Sequence, residues 1–346
     1  MAGRGRRFGG ARPGTGNGSC TAQEARALWS CPGPVPDGRG DTVLDEGRPD
    51  MSSHHAHHGD DIDWEGMAAH LERKAEVNAP YLRAAADWLH GLLGAADSGA
   101  VGRVLDVGSG PGAITCLLAR RFPSARVAAV DQSEPLLDHA RSRAESEGLG
   151  GRVETLRADL PDDLGALGAA DLIWSSQAVH HLGDQQGALN GLAAALRPGG
   201  LLAIAETGLP PRFLPRDIGI GRPGLQARLD AAWEEFFADM RAGLPGSASV
   251  VEDWPAMLTR AGLVPSGTRT FLVEHQAPLD GRVREYLRLH LTHVLGALGE
   301  GLDAEDRGTL EGLVDPDAPT GVLWRPDAFY LSAATVHTAR ACTLDG

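Results

Sequence analysis

The chain has 346 residues, 42% of them hydrophobic and 23% charged, an ordinary globular composition with enough length to bury a large core or two smaller ones. No apolar run approaches the roughly 18 residues of a membrane-spanning helix, the best being residues 201–205. A formal net charge of −14 disfavours nonspecific attraction to nucleic acid or an anionic membrane. The cysteines Cys20, Cys31, Cys116 and Cys342 lie far apart without metal-ligand spacing, so a reduced, cytoplasmic enzyme is expected. Of 32 basic residues only Lys74 is a lysine, which with the abundance of Ala and Gly reads as a GC-rich coding sequence.

Residues 1–50 carry 11 Gly and 5 Pro without hydrophobic periodicity and open on Arg4, Arg6, Arg7 and Arg12. Such a segment buries too little apolar surface to offset its ordering entropy, and it is read as a disordered extension with Met51 as an alternative start. A transit peptide lacks the amphipathic run it would need. The histidines of 54–58 form no rigid ligand geometry and are read as a solvated tail, with no metal site expected. From Asp63, Trp64, Met67, Leu71 and Ala75 recur at helical steps, and Pro80 opens a second helix carrying Leu82, Ala85, Trp88 and Leu89. Beyond Gly99, apolar runs at 103–107, 126–131, 152–159, 171–175 and 200–206 alternate with helical stretches. That alternation predicts βαβ units and a doubly wound α/β fold.

The most informative string runs from Val104 to Ala113, where strand residues enter the turn Gly108-Ser109-Gly110-Pro111-Gly112 and a helix follows. Glycines are needed where a backbone turns sharply or where a ligand approaches the main chain. Gly108, Gly110 and Ala113 also fit the dinucleotide pattern, with Asp131 as a ribose acid, so an NAD(P)-dependent oxidoreductase stays open. Asp106, two residues before the loop, can hold the turn and face an ammonium group. Gly112 suits an amino-acid moiety more than a pyrophosphate. Asp159, placed at the end of the third strand, offers an acceptor for an exocyclic amine.

Together with Leu196-Arg197-Pro198-Gly199-Gly200, these residues resemble the class I S-adenosylmethionine-dependent methyltransferases over about residues 100–208. The resemblance implies a Rossmann-like sheet of seven strands, the last antiparallel, with N-terminal helices at 51–99 and a cofactor-binding core at 100–208. It further implies a helical cap at 209–262, and C-terminal strands with inserted helices at 263–346. S-adenosylmethionine would be the cofactor. Asp106, Gly108, Ser109, Gly110 and Gly112 would cradle its methionine part, Asp131 and Gln132 the ribose, and Asp159 and Leu160 the adenine, with Ser175 at the fourth strand's end. That strand leads into Ser176-Gln177-Ala178-Val179-His180-His181 and lacks the Asn/Asp-Pro-Pro-aromatic string of nucleic-acid amine methyltransferases. With the acidic charge, this points to a small-molecule acceptor and no nucleic acid or membrane partner. His181, His180 and Glu206 are the candidate bases, against the alternative that positioning alone suffices. A non-catalytic cofactor-binding module would share every loop residue.

On the acceptor side, Leu225, Leu229, Trp233, Phe236, Phe237 and Met240 form a helical stripe expected to be core. The Pro- and Gly-rich loop 210–224 is expected to act as a lid hinge. Strands are expected at 268–274 and 329–339, separated by helices at 283–298 and 304–313. Cys116, among apolar neighbours on the first core helix, is expected to be buried and inert.

Overall fold

A computed structural model describes residues 64–94 and 101–343. The expectations for residues 1–50, Met51, His54–His58, Cys20 and Cys31 fall outside these residues. Among the described residues no helix is long and apolar enough to cross a membrane.

Two helices, α1 (Trp64–Val77) and α2 (Ala79–Gly94), precede the sheet. The strands then alternate with helices as their composition demands: β1 (Arg103–Val107), α3 (Ala113–Arg121), β2 (Arg126–Asp131), α4 (Glu134–Ser146), β3 (Val153–Arg157), β4 (Ala170–Ser176), α5 (Gln185–Ala194) and β5 (Leu196–Arg212). A C-terminal part adds α6 (Leu225–Gly243), α7 (Trp254–Arg260), β6 (Val264–His275), α8 (Gly281–Leu298), α9 (Ala304–Val314) and β7 (Tyr330–Arg340). The seven strands form one sheet in the order β3-β2-β1-β4-β5-β7-β6. β1 pairs in parallel with β2 and β4, and β7 runs antiparallel between β5 and β6. The strand order reverses at β1, so the crevice at the carboxyl ends of β1 and β4 is the place where this topology offers a ligand site.

The central strands are buried on both faces: Val104, Leu105, Val127, Ala128, Leu172, Ile173, Leu201 and Leu202 are all inaccessible. That is why they read as continuous apolar runs without alternation. One face packs under α2, α3 and α8, with Leu89, Leu118, Trp174 and Leu287 in a common cluster, and the other under α5 and α7. Cys116 lies in the first of these clusters, and burial pushes its thiol up to about 12.

Three expectations are corrected. The third strand stops at Arg157, so Asp159 stands two residues beyond it, at the start of a turn in which its N–H donates to Asp163. β5 runs from Leu196 to Arg212, six residues past its expected end at 206, because β7 lies beside it and pairs with Thr207 to Arg212. The segment 213–224 is not a free hinge. Gln226 accepts from the N–H groups of Phe213 and Leu214, Arg325 donates to the Ile218 carbonyl, and Arg222 and Arg228 both bind the buried Asp306 of α9.

Candidate active site

The turn between β1 and α3 is built by its own backbone. The N–H groups of Gly108 and Ser109 both donate to the Val130 carbonyl at 2.9 and 3.0 Å, tying the loop to the end of β2. Asp131 then closes it. One carboxylate oxygen accepts from Gly110 N–H at 2.9 Å and the other from Ser133 N–H at 3.0 Å. Gly108, Gly110 and Gly112 all have positive φ (74°, 53° and 77°), which side-chain-bearing residues rarely adopt. Two of these glycines are required by the protein itself and not by a ligand. A Cβ at Gly108 would lie 2.4 Å from the Ala178 methyl, and one at Gly112 would lie 2.6 Å from the Ala140 methyl of α4. The reading of Gly112 as space for an amino-acid moiety therefore gives way to helix packing. At Gly110 the nearest atom is Leu71 Cδ1 of α1, at 3.4 Å, so α1 covers the loop.

Asp106 is 1% exposed and accepts a hydrogen bond from Thr115 Oγ1 at 2.6 Å. Burial raises its carboxyl pKa to about 7, further assisted by the neighbouring Asp131 charge. Two hydroxyls beside it, Ser109 Oγ and Ser175 Oγ, are buried without a hydrogen-bond partner. Buried orphan hydroxyls and a carboxyl of raised pKa at the carboxyl ends of neighbouring strands point to a site that binds something polar. Gln132 is exposed next to Asp131, and its carbonyl accepts from Arg157. Asp159 is exposed and Leu160 half-buried on the same side of β2 and β3. Asp106 and Ser175 thus stand near the carboxyl ends of the paired strands β1 and β4, Ser109 in the loop that follows β1 and Asp131 at the end of β2, with Asp159 exposed beyond β3.

At the end of β4 the chain turns through Gln177, the only non-glycine residue with positive φ (51°) among the described residues. Strain of this kind concentrates at functional sites. Glu206 of β5, whose side chain is fully buried, organises the turn: Oε1 accepts from the N–H groups of Ala178 and Val179, and Oε2 pairs with His180 Nδ1 at 2.5 Å. With its oxygens committed in this way, Glu206 acts as a holder of the turn, against the expectation that it serves as a base. With Nδ1 engaged by Glu206, Nε2 is the His180 ring nitrogen that can meet a ligand. His181, at the rim, is pushed down to about 4 by partial desolvation and then by His180, a direction that keeps it neutral and makes it a weak base. Arg241 of α6 donates to the His180 carbonyl and fastens the cap onto this turn.

Several residues escaped sequence reasoning. Lys74 of α1 donates to Gln177 Oε1, and His70, one helical turn earlier, stacks within 5.7–6.4 Å of Tyr286, His290 and His293 of α8. Trp233 and Phe237 of α6 meet His293 and His180, so the lower half of the α6 stripe faces the site. Leu225 and Leu229 are the part that is core. The signal in the sequence was Lys74 itself, the sole lysine, together with the helical spacings 70/74 and 290/293. Among the described residues no group of side chains could hold a metal ion.

Residues 104–200 match a family described as a methyltransferase domain. This stretch of the chain is similar to a methyltransferase domain. The trans-aconitate 2-methyltransferase of Paracidovorax citrulli is 38% identical over 33% of this chain and 42% of its own length. That of Streptomyces coelicolor is 30% identical over 59% and 65% respectively. The demethylmenaquinone methyltransferase of Thermus thermophilus is 35% identical over 32% of this chain and 49% of that one. The chain thus spans less than two thirds of each of these relatives. The match covers the strands and loop of the methyltransferase core, while α1, α6, α8 and α9 lie outside the matched 104–200.

Proposed function

We propose that the chain is an S-adenosylmethionine-dependent methyltransferase acting on a small-molecule acceptor. The observation that carries this reading is the β1–α3 loop inside the methyltransferase domain. There Asp131 holds the Gly110 amide while Ser109 Oγ stays buried and unpaired beside Asp106. These residues suit an amino-acid-bearing nucleoside: Asp106 would lie toward its ammonium end, Asp131 and Gln132 would take the ribose hydroxyls, and Asp159 and Leu160 would border the base. When bound, S-adenosylmethionine supplies a methyl group already activated on a sulfonium.

What remains for the protein is positioning and, for a hydroxyl acceptor, removal of a proton. Positioning contributes roughly 7–11 kcal/mol. His180 is the better base of the pair, because Glu206 orients it as a carboxylate orients a catalytic histidine, whereas the lowered pKa of His181 weakens proton uptake. Relatives named for trans-aconitate and for demethylmenaquinone both match this chain, which supports a reading in which the acceptor is chosen by elements outside the matched core, such as α1, α6 and α8.

Incubation of the purified protein with methyl-labelled S-adenosylmethionine and a metabolite extract, followed by mass spectrometry, should yield a labelled small molecule. Calorimetry should show binding of S-adenosylhomocysteine and none of NAD; the reverse preference would overturn the reading.

A further inference from the structure

Lysine appears once in this chain, against 31 arginines, and that one residue stands over the carboxyl end of β4. A sequence that uses arginine everywhere else keeps a compact ammonium at this position, where a guanidinium's five-donor fork would need more room and more acceptors. The Lys74 side chain is half-buried, and desolvation lowers its pKa while the Glu206 charge partly restores it. Its one side-chain hydrogen-bond partner among the described residues is a neutral amide, Gln177, held in a strained backbone conformation to meet it. Glu206, the nearest acid that acts on it, already serves His180 and two backbone amides. The rings around it add no compensating charge: His70, His181 and His290 are all pushed down, to about 4, 4 and 3, and the Lys74 charge contributes to each shift.

A half-buried cation whose side-chain partner is a neutral amide, with no carboxylate in hydrogen-bond reach among the described residues and with imidazoles of lowered pKa beside it, is suited to take one negative charge from a ligand. A phosphate would need more. No arginine joins Lys74, since Arg241 is committed to the His180 and Leu182 carbonyls. The surrounding rings, His70, Tyr286, His290 and His293, stack at 18–26° to one another, and Phe213 closes edge-on against His290. A cluster of near-parallel rings offers aromatic surface to a flat ligand, and His70 Nδ1, buried and unpaired, adds a polar contact.

We propose that Lys74 is the anion-recognition residue of the acceptor site and that the acceptor is a planar small molecule bearing a single carboxylate. The inference rests on the methyltransferase reading above, and it deepens that reading by naming the acceptor class. Lys74 binds and orients the carboxylate; it is not assigned the proton transfer.

The single lysine makes the test direct. Intact-mass kinetics of ε-amine acylation on the full chain report on Lys74 alone, once the α-amino group is accounted for. In the presence of S-adenosylhomocysteine, trans-cinnamate and benzoate should slow acylation of Lys74, while cinnamamide and benzamide should do so about ten- to a hundredfold less effectively by concentration. Calorimetry should show the same acid-over-amide preference in Lys74→Arg, reduced by some fraction, and should show it collapse to within about threefold in Lys74→Met. Equal effects of acids and amides, or no protection by millimolar acids, would overturn the proposal. Absence of S-adenosylhomocysteine binding to the unaltered protein would instead sink the methyltransferase reading, and the protection of Lys74 would still be scored by itself.

Discussion

Asp131 carries two duties in this structure, and they separate in experiment. Its carboxylate fixes the Gly110 and Ser133 amides, and it is the residue proposed to meet the ribose. Asp131→Ala should therefore weaken S-adenosylhomocysteine about ten- to a hundredfold. It should also cost stability of roughly 1–3 kcal/mol, because two amides lose a charged acceptor. Calorimetry and denaturant unfolding read the two effects, and unchanged affinity would remove the residue from the site. Asp106 gives a pH signature of definite sign. Its pKa rises from 3.8 to about 7 on folding, so its contribution to stability is full below 3.8 and is lost as pH climbs through about 7. Asp106→Asn should accordingly melt higher than the parent at pH 8 by the equivalent of roughly 2–4 kcal/mol, with the gap closing toward pH 4. A pH-independent gap would contradict the raised carboxyl. At Gly112 the Ala140 methyl and a φ of 77° forbid a side chain, and Gly112→Ala should cost more than about 2 kcal/mol in denaturant unfolding.

At the scale of elements, α1 and α8 meet through imidazoles that only fold well when neutral. His70 and His290 fall from the ordinary 6.5 to about 4 and about 3, chiefly through desolvation. Their contribution to stability is complete above 6.5 and is lost as pH drops through their folded values. Thermal unfolding should therefore decline steeply between pH 6.5 and 4, by on the order of 1–3 kcal/mol per histidine. His290→Gln should flatten that decline, on which Asp106 acts with the opposite sign over the overlapping window between 3.8 and about 7. An unaltered acid slope in the variant would show that the α1–α8 contact does not titrate. The same contact sets the height of α1 over Gly110, because Leu71, His70 and Lys74 share one helix, and the salt bridge from Glu72 to Arg143 at 2.7 Å ties that helix to α4.

Over the whole molecule, the acceptor side is pinned to the core by charge as much as by packing. Asp306, 2% exposed, accepts from Arg228 at 2.6 and 2.7 Å and from Arg222 at 2.8 Å, and these arginines hold its carboxyl below the usual range. Both arginines are partly solvated, so removal of the acid leaves charges that water can reach. Asp306→Ala should lower stability by about 1–3 kcal/mol and should loosen 213–224, seen as faster proteolysis in that loop. Donor binding, on the far side of β4, should be untouched.

The five runs of apolar residues between 103 and 206 and the glycine string at 108–112 were decided by the sequence, because strand burial on both faces and positive φ impose composition locally. Asp106 and Asp131 were legible for the same reason: each lies within two residues of the loop it serves. What the sequence could not decide was which partners those groups meet. Gly112 belongs to Ala140, Glu206 to the His180 turn, and the extension of β5 to a strand more than a hundred residues later. The lysine was visible as a solitary letter and read as genome composition. Only the packing of α1 over β4 and against α8 brings it, half-buried, to the Gln177 turn and lowers its pKa, since burial is a property of the assembled neighbourhood and not of any segment of chain.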